Sequence, residues 1–283
     1  MSLALLGAAT LNAGCAGDGD ATAGTPETAV TTPGDEIVDV VEVIDGDTLE
    51  VRRSDGQRER VRLIGINTPE QGECLAEEAT ERLRSLAGDT TVRMAADRTD
   101  RDGYGRLLRY LYADDVFLNE QMVADGLALA RRYEPDTAQS QRLEAAQRGA
   151  QRREIGQWAS DACGEPQEHE GDLSIGELQA DAPGNDDNNS LNGEWVEVAN
   201  LGQASVGLEG WALKDTSASH RYTFPAGFTL EPGATVRISS GCGTDSRRRL
   251  YWCVKGSAVW NNDADTAYLL DPSGNIVDTH AYG

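Results

Sequence analysis

Lysine is almost missing from this chain. Of its 25 basic residues only Lys214 and Lys255 are lysines, and arginine supplies the rest. Against them stand 48 Asp and Glu, for a formal net charge of −23. A field of that sign repels phosphate and argues against a nucleic acid partner at low salt. Dense carboxylate with little lysine also resembles proteins adapted to molar salt. There the Debye length falls to about 3 Å and the long-range objection lapses. The alternative is an ordinary acidic exported protein. Long apolar runs are missing too, which excludes a membrane-spanning helix of the usual length. Histidine is scarce. His169 lies in a polar stretch and reads as solvated, while His220 and His280 read as strand-end residues rather than ligands.

The five cysteines are Cys15, Cys74, Cys163, Cys242 and Cys253. Two disulfides and one modified cysteine account for all of them, which fits an oxidising, extracytoplasmic setting. Cys74 precedes the first expected helix and Cys163 follows the last, so they are expected to pair. Cys242 and Cys253 flank a variable loop and form the second expected pair. Residues 1–14 are small and apolar and lead to Cys15. They read as an export signal whose cysteine is lipidated, although Asn12 stands where an aliphatic residue is usual and a basic start is missing. Residues 16–35 carry almost no bulky apolar side chain and read as a disordered tether.

The length allows about two domains. Residues 36–115 alternate as short strands around one helix, and two further helices complete a domain of residues 36–163. The expected strands include Thr48–Arg53, Arg58–Ile64, Thr91–Ala96 and Leu107–Tyr112. The expected helices are Cys74–Leu86, ended by Gly88, then Leu118–Asp125 and Thr137–Arg153. Trp158 is expected to pack the last helix onto the strands. Residues 164–172 are a polar linker. From 173 to 283 helical periodicity is missing, and short strands recur between turns at Glu194–Asn200, Gly210–Lys214, Arg221–Phe224, Ala234–Ser239, Ala267–Asp271 and Ile276–His280. This pattern is an all-β sandwich. At least two of Trp195, Trp211, Trp252 and Trp260 are expected in its core, the others forming a possible exposed surface. Asp181–Glu194 is rich in oxygen ligands and reads as a solvated acidic loop, with a structural calcium site as the alternative.

The densest chemistry lies in VIDGDTLEVRRSDGQRERVRLIGINTPE, residues 43–70. Asp45 and Asp47 are expected to close the first strand, with Arg62, Asn67 and Glu70 on the strands and turn that follow. Gathered oxygens suit a hard cation, and an arginine beside them suits a phosphate. Taken singly, Asp45-Gly46-Asp47 is a turn signal and Thr68-Pro69-Glu70 a helix start. Together, VIDGDT, VRLIGINTPE, then Asp102-Gly103-Tyr104-Gly105-Arg106, Asn119-Glu120 and Asp125-Gly126-Leu127-Ala128 resemble the thermonuclease (staphylococcal nuclease-like) family across roughly residues 36–162. The segments LNGEWVEVANLG, LEGWALKD, YTFPAGFTLEPGATVRISSG and VWNNDADTAYLLDPSGNIVD resemble the lamin-tail domain.

The resemblance implies an α+β, OB-type five-stranded barrel with about three helices, followed by an Ig-like β-sandwich. It implies a calcium site of Asp47, Asn67 and the Thr68 carbonyl, supported by Asp45. Asn67 departs from the family pattern, which has Asp there, and brings no charge. Arg62 and Arg106 would clamp the scissile phosphate, Glu70 would orient or deprotonate the attacking water, and Tyr104 would touch the nucleotide. The expected function is a secreted or surface-tethered, calcium-dependent nuclease acting on single- or double-stranded DNA and RNA. The expected products are 3′-phosphates, and the only expected membrane contact is a lipid at Cys15. The tail would be an accessory module for nucleic acid, envelope or another protein. The rival is a surface protein that binds nucleic acid, or an adhesin, with impaired catalysis. Arg62, Glu70 and Arg106 speak against that rival, because degenerate copies lose such residues.

Overall fold

The computed structural model describes residues 35–88, 91–166, 172–182, 191–217, 219–255 and 258–283. The export signal, Cys15, the tether up to residue 34, His169 and residues 183–190 of the acidic loop lie outside these.

Alternating apolar side chains build the first half. β1 (Glu36–Val43) pairs antiparallel with β2 (Thr48–Arg52), and β2 with β3 (Arg58–Leu63). β4 (Ile66–Asn67) is short, and α1 (Ala76–Ala87) follows. β5 (Thr91–Ala95) returns to pair with β1, and β6 (Leu107–Ala113) pairs with β5. Parallel pairing of β3 with β6, Val61 opposite Leu107, closes a five-stranded barrel. β7 (Val116–Phe117) turns back to pair antiparallel with the end of β6, α2 (Leu118–Ala124) follows it, and β8 (Leu129–Ala130) pairs with β4 before α3 (Ser140–Arg152). Leu49, Val51, Val61, Leu63, Leu107 and Leu111 fill the interior. Each such burial stabilises the fold by roughly 1.5–3 kcal/mol. α1 presents Ala79, Leu83 and Ala87 to that core at helical spacing and ends at Gly88. Asn119 is fully buried. It donates to Ile64 O at 2.8 Å and accepts from Leu111 N at 3.0 Å, tying α2 to the barrel.

The second half is a sandwich. β9 (Leu173–Gln179), β10 (Trp195–Asn200), β15 (Thr235–Ser239) and β16 (Arg249–Tyr251) form one sheet. β12 (Ala212–Lys214), β13 (Arg221–Thr223), β17 (Asp265–Leu270) and β18 (Ile276–Tyr282) form the other. β11 (Val206–Gly207) and β14 (Thr229–Leu230) make a small ladder at the side. Val196, Val198, Leu213, Val236, Ile238 and Leu269 pack between the sheets with Trp211 and Trp260, so two of the four tail tryptophans are core. Both expected disulfides are present, Cys74–Cys163 and Cys242–Cys253.

Several expectations shift. β1 ends at Val43, so Asp45 and Asp47 occupy the bend before β2 and not the strand. Ile44 N and Asp45 N both donate to Thr48 O, which turns the chain there. α1 begins two residues past Cys74 because Leu75 takes a left-handed φ of 64°. α3 starts at Ser140, whose N–H closes a turn onto Thr137 O. β9 lies outside the expected strands: exposed Glu177 breaks the Leu173, Ile175 alternation where the pairing with β10 shifts register. Glu194, expected in a solvated loop, is fully buried and accepts from Val259 N at 2.8 Å. Trp158 is half-buried against Tyr268 of the sandwich, with ring centroids 6.2 Å apart. Leu129, Ala212, Tyr268 and Leu270 form a buried cluster there, so the tryptophan packs between the two halves and not onto the barrel alone. Thr31–Gly283 forms one compact unit.

Candidate active site

The β1–β2 bend sets the site. Asp47 N donates to Asp45 Oδ1 at 3.0 Å, and Leu63 N donates to Asp47 O at 2.8 Å. A Cβ on Gly46 would lie 2.7 Å from Ala79 Cβ and 2.8 Å from Thr68 Oγ1. Only glycine lets the bend close against α1 and Thr68.

Asp47 is thereby aimed inward. Its Oδ2 accepts from Thr68 N and Thr68 Oγ1, both at 3.0 Å, and lies 2.9 Å from Arg62 Nη2. The same Nη2 donates to Asn67 Oδ1 at 2.9 Å, while Nη1 donates to Leu63 O at 2.8 Å. Asp47, Arg62 and Asn67 thus meet at one point. Thr48 stands opposite Arg62 in the β2–β3 ladder. Its hydroxyl donates to Asp47 Oδ1 at 3.2 Å and accepts from Arg106 Nη1 at 3.3 Å. Arg106 comes from the turn before β6. Asp102 shapes that turn by accepting from the backbone N–H groups of Tyr104 and Arg106, each at 2.9 Å, and from Arg106 Nε at 2.7 Å. Among the described residues Arg106 Nη2 has no partner. Tyr104 is 89% exposed, its ring 5.6 Å from the Arg106 guanidinium.

Two clefts adjoin this point. One, of about 460 Å³, is lined by Asp45, Asp47, Thr68, Glu70, Glu77 and Glu81. The other, of about 450 Å³, is lined by Arg62, Tyr104, Arg106, Arg131 and Tyr133. Burial pushes the Asp47 carboxyl up, with Arg62 opposing and Asp45 adding to the rise. Burial lowers Arg62, with Asp47 opposing and Arg106 adding to the fall. Glu70 is exposed, yet partial burial followed by the charges of Asp47 and Asp45 raises its pKa.

Crowded carboxylates on an oxygen-lined cleft fit a hard cation. Among the described residues no three His, Cys, Asp or Glu side chains gather closely enough to hold an ion alone. A cation held at Asp47 would need neutral oxygens and water beside that one carboxylate. Asn67 Oδ1 and Asp47 Oδ2 both face the Arg62 guanidinium, which holds them close together.

The fold brings Asp45, Asp47, Arg62, Asn67, Thr68, Glu70 and Arg106 to one region. Thr48, Arg131 and Tyr133 were missed. Thr48 was legible as the neighbour of Asp47. Arg131 and Tyr133 follow β8 in a stretch without regular period and carry no local signal.

A family model described as "Staphylococcal nuclease homologue" matches residues 60–160, and "Lamin Tail Domain" matches residues 166–283. The thermonuclease of Staphylococcus hyicus is 33% identical over 127 residues, 43% of this chain and 75% of that protein. The thermonuclease of Staphylococcus intermedius is 36% identical over 125 residues, 42% of this chain and 74% of that protein. A micrococcal nuclease of Shigella flexneri is 34% identical over 139 residues, 45% of this chain and 76% of that protein. With the closed barrel, the order of its motifs and these relatives, the chain belongs to the staphylococcal nuclease family and carries a lamin tail domain behind its nuclease barrel.

Proposed function

We propose that this nuclease is exported and calcium-dependent, and that it hydrolyses phosphodiester bonds of DNA and RNA with little sequence preference. The observation that carries the reading is the meeting of Asp47, Arg62 and Asn67 where an acidic cleft adjoins an arginine-lined one. A cation and a phosphate can bind side by side there. Asp47, Asn67 and the Thr68 carbonyl would hold the calcium, with Asp45 fixing the bend that carries Asp47. When bound, calcium supplies positive charge to the phosphate and to a nearby water.

The remaining roles belong to the side chains. Arg62 and Arg106 grip the phosphate oxygens and offset the charge that grows on them as water attacks. Thr48 keeps Arg106 in register with Asp47. Glu70, its pKa raised by burial and by Asp47 and Asp45, orients the water or takes its proton. The bond to the 5′ oxygen breaks and a 3′-phosphate remains. Tyr104, exposed beside Arg106, offers a face for a base. Export and a lipid anchor at Cys15 complete the reading and place the enzyme outside the cell or on its surface.

The test is digestion of single-stranded DNA by the full chain. Cleavage is expected with calcium, is lost in EDTA, and leaves ends that phosphatase treatment converts to 3′-hydroxyls. Equal cleavage in EDTA would overturn the calcium requirement, and 5′-phosphate ends would overturn the bond assignment.

A further inference from the structure

Glu70 sits on a short loop, Glu70 to Leu75, between β4 and α1. The loop closes on itself: Glu73 N donates to Glu70 O at 2.8 Å, and Glu70 N donates to Glu73 Oε2 at 3.0 Å. Leu75 ends it in a left-handed conformation, φ 64°. Such a residue persists only where its surroundings over-determine it.

Those surroundings include the tail domain. Arg221 Nη1 lies 3.1 Å from Glu73 Oε1, and Lys214 Nζ lies 3.9 Å from Glu73 Oε2. The two cations are direct cross-strand partners on β12 and β13, so the sheet itself sets their spacing. Lys214 is one of only two lysines in the chain, and its side chain is 14% exposed. Burying an ammonium is costly without a partner. Burial lowers the Lys214 pKa, and Glu73 is the largest influence pulling it back up. A second fastening lies one residue on. Cys74 is bonded to Cys163, whose N–H donates to Asn275 Oδ1 at 2.7 Å in the loop before β18.

We infer that the lamin tail domain is a working part of the nuclease site, in which Lys214 and Arg221 are positioning residues that act through Glu73 on the loop carrying Glu70. This rests on the reading of Glu70 given above. A carboxylate that orients water is sensitive to placement: a misplacement of about 1 Å costs up to about 10²-fold in rate. Without the two cations, Glu73 is free to leave the Glu70 N–H and the loop to open.

The test uses the full chain with Lys214→Met and Arg221→Gln singly and together, Arg221→Lys as the conservative variant, and Glu73→Gln. Two readouts are taken: kcat and KM on a single-stranded oligonucleotide, and amide exchange of residues 68–78 by mass spectrometry. The double variant is expected to lose about tenfold in kcat with KM changed less than about twofold, and to speed exchange in 68–78 at least about tenfold. Arg221→Lys should recover part of both. In a Glu73→Gln background the cation variants should add nothing further. Variants that cut like wild type and exchange as slowly would overturn the brace while leaving the nuclease reading intact. Exchange that quickens without loss of kcat would overturn the positioning role. A wild-type chain that cuts nothing, with exchange still quickened in the variants, would sink the nuclease reading and leave the brace standing as structure.

Discussion

At the scale of single residues, Asp47 is where the site is assembled. Its two oxygens take contacts from Thr48, Thr68 and Arg62, and one of them reaches β3 and the residue that follows β4 at once. The charge balance at that point is unusual because Asn67 is an amide. It satisfies Arg62 as a carboxylate would, at 2.9 Å, yet brings no negative charge to a cation. Asn67→Asp is therefore expected to tighten calcium about tenfold. Titration of intrinsic tryptophan fluorescence with calcium checks this, and an unchanged midpoint would show that Asn67 is not a ligand.

At the scale of elements, the loop between β4 and α1 is held by a covalent bond across 89 residues as well as by hydrogen bonds. In the chain-entropy picture a closed loop of that size stabilises by about 4–5 kcal/mol. The Cys74→Ser, Cys163→Ser double variant should lose that order of stability in a denaturant melt, and a loss below about 1 kcal/mol would show that the bond only decorates a loop held by other contacts. The same elements show what a sequence can reveal. The barrel strands were legible because Leu49, Val51, Val61 and Leu63 alternate into one core. Arg62, Asn67, Glu70 and Arg106 were legible through the family resemblance of the motifs that carry them, and the fold gathers them in one region. The bend at Asp45 and Asp47 was signalled by Asp45-Gly46-Asp47 as a turn, but not the early end of β1, which two backbone bonds to Thr48 O impose. Trp158 and Glu73 were not, because their partners Tyr268 and Arg221 lie more than a hundred residues away and carry no local pattern.

At the scale of the whole molecule, the excess of carboxylate and the nuclease chemistry pull in opposite directions. Residues 36–165 hold 18 Arg against 27 Asp and Glu, and most of the arginines in the barrel are committed to ion pairs. Little cationic surface remains to steer a polyanion at long range. On the proposed reading, contact groups at the clefts act at short range, where molar salt screens long-range repulsion more than it weakens direct charged hydrogen bonds. On our reading the acidic surface is an adaptation to such salt. The measurement that bears most directly on this account is digestion of single-stranded DNA in calcium by the wild-type chain and by Glu70→Gln, from low to molar KCl. We predict cleavage that holds or rises with salt and falls by at least about 10²-fold in the variant. Cleavage that collapses steeply with salt would contradict the salt adaptation. A folded wild-type chain that binds the DNA without cutting it, or a variant that cuts as well as wild type, would contradict the active site itself.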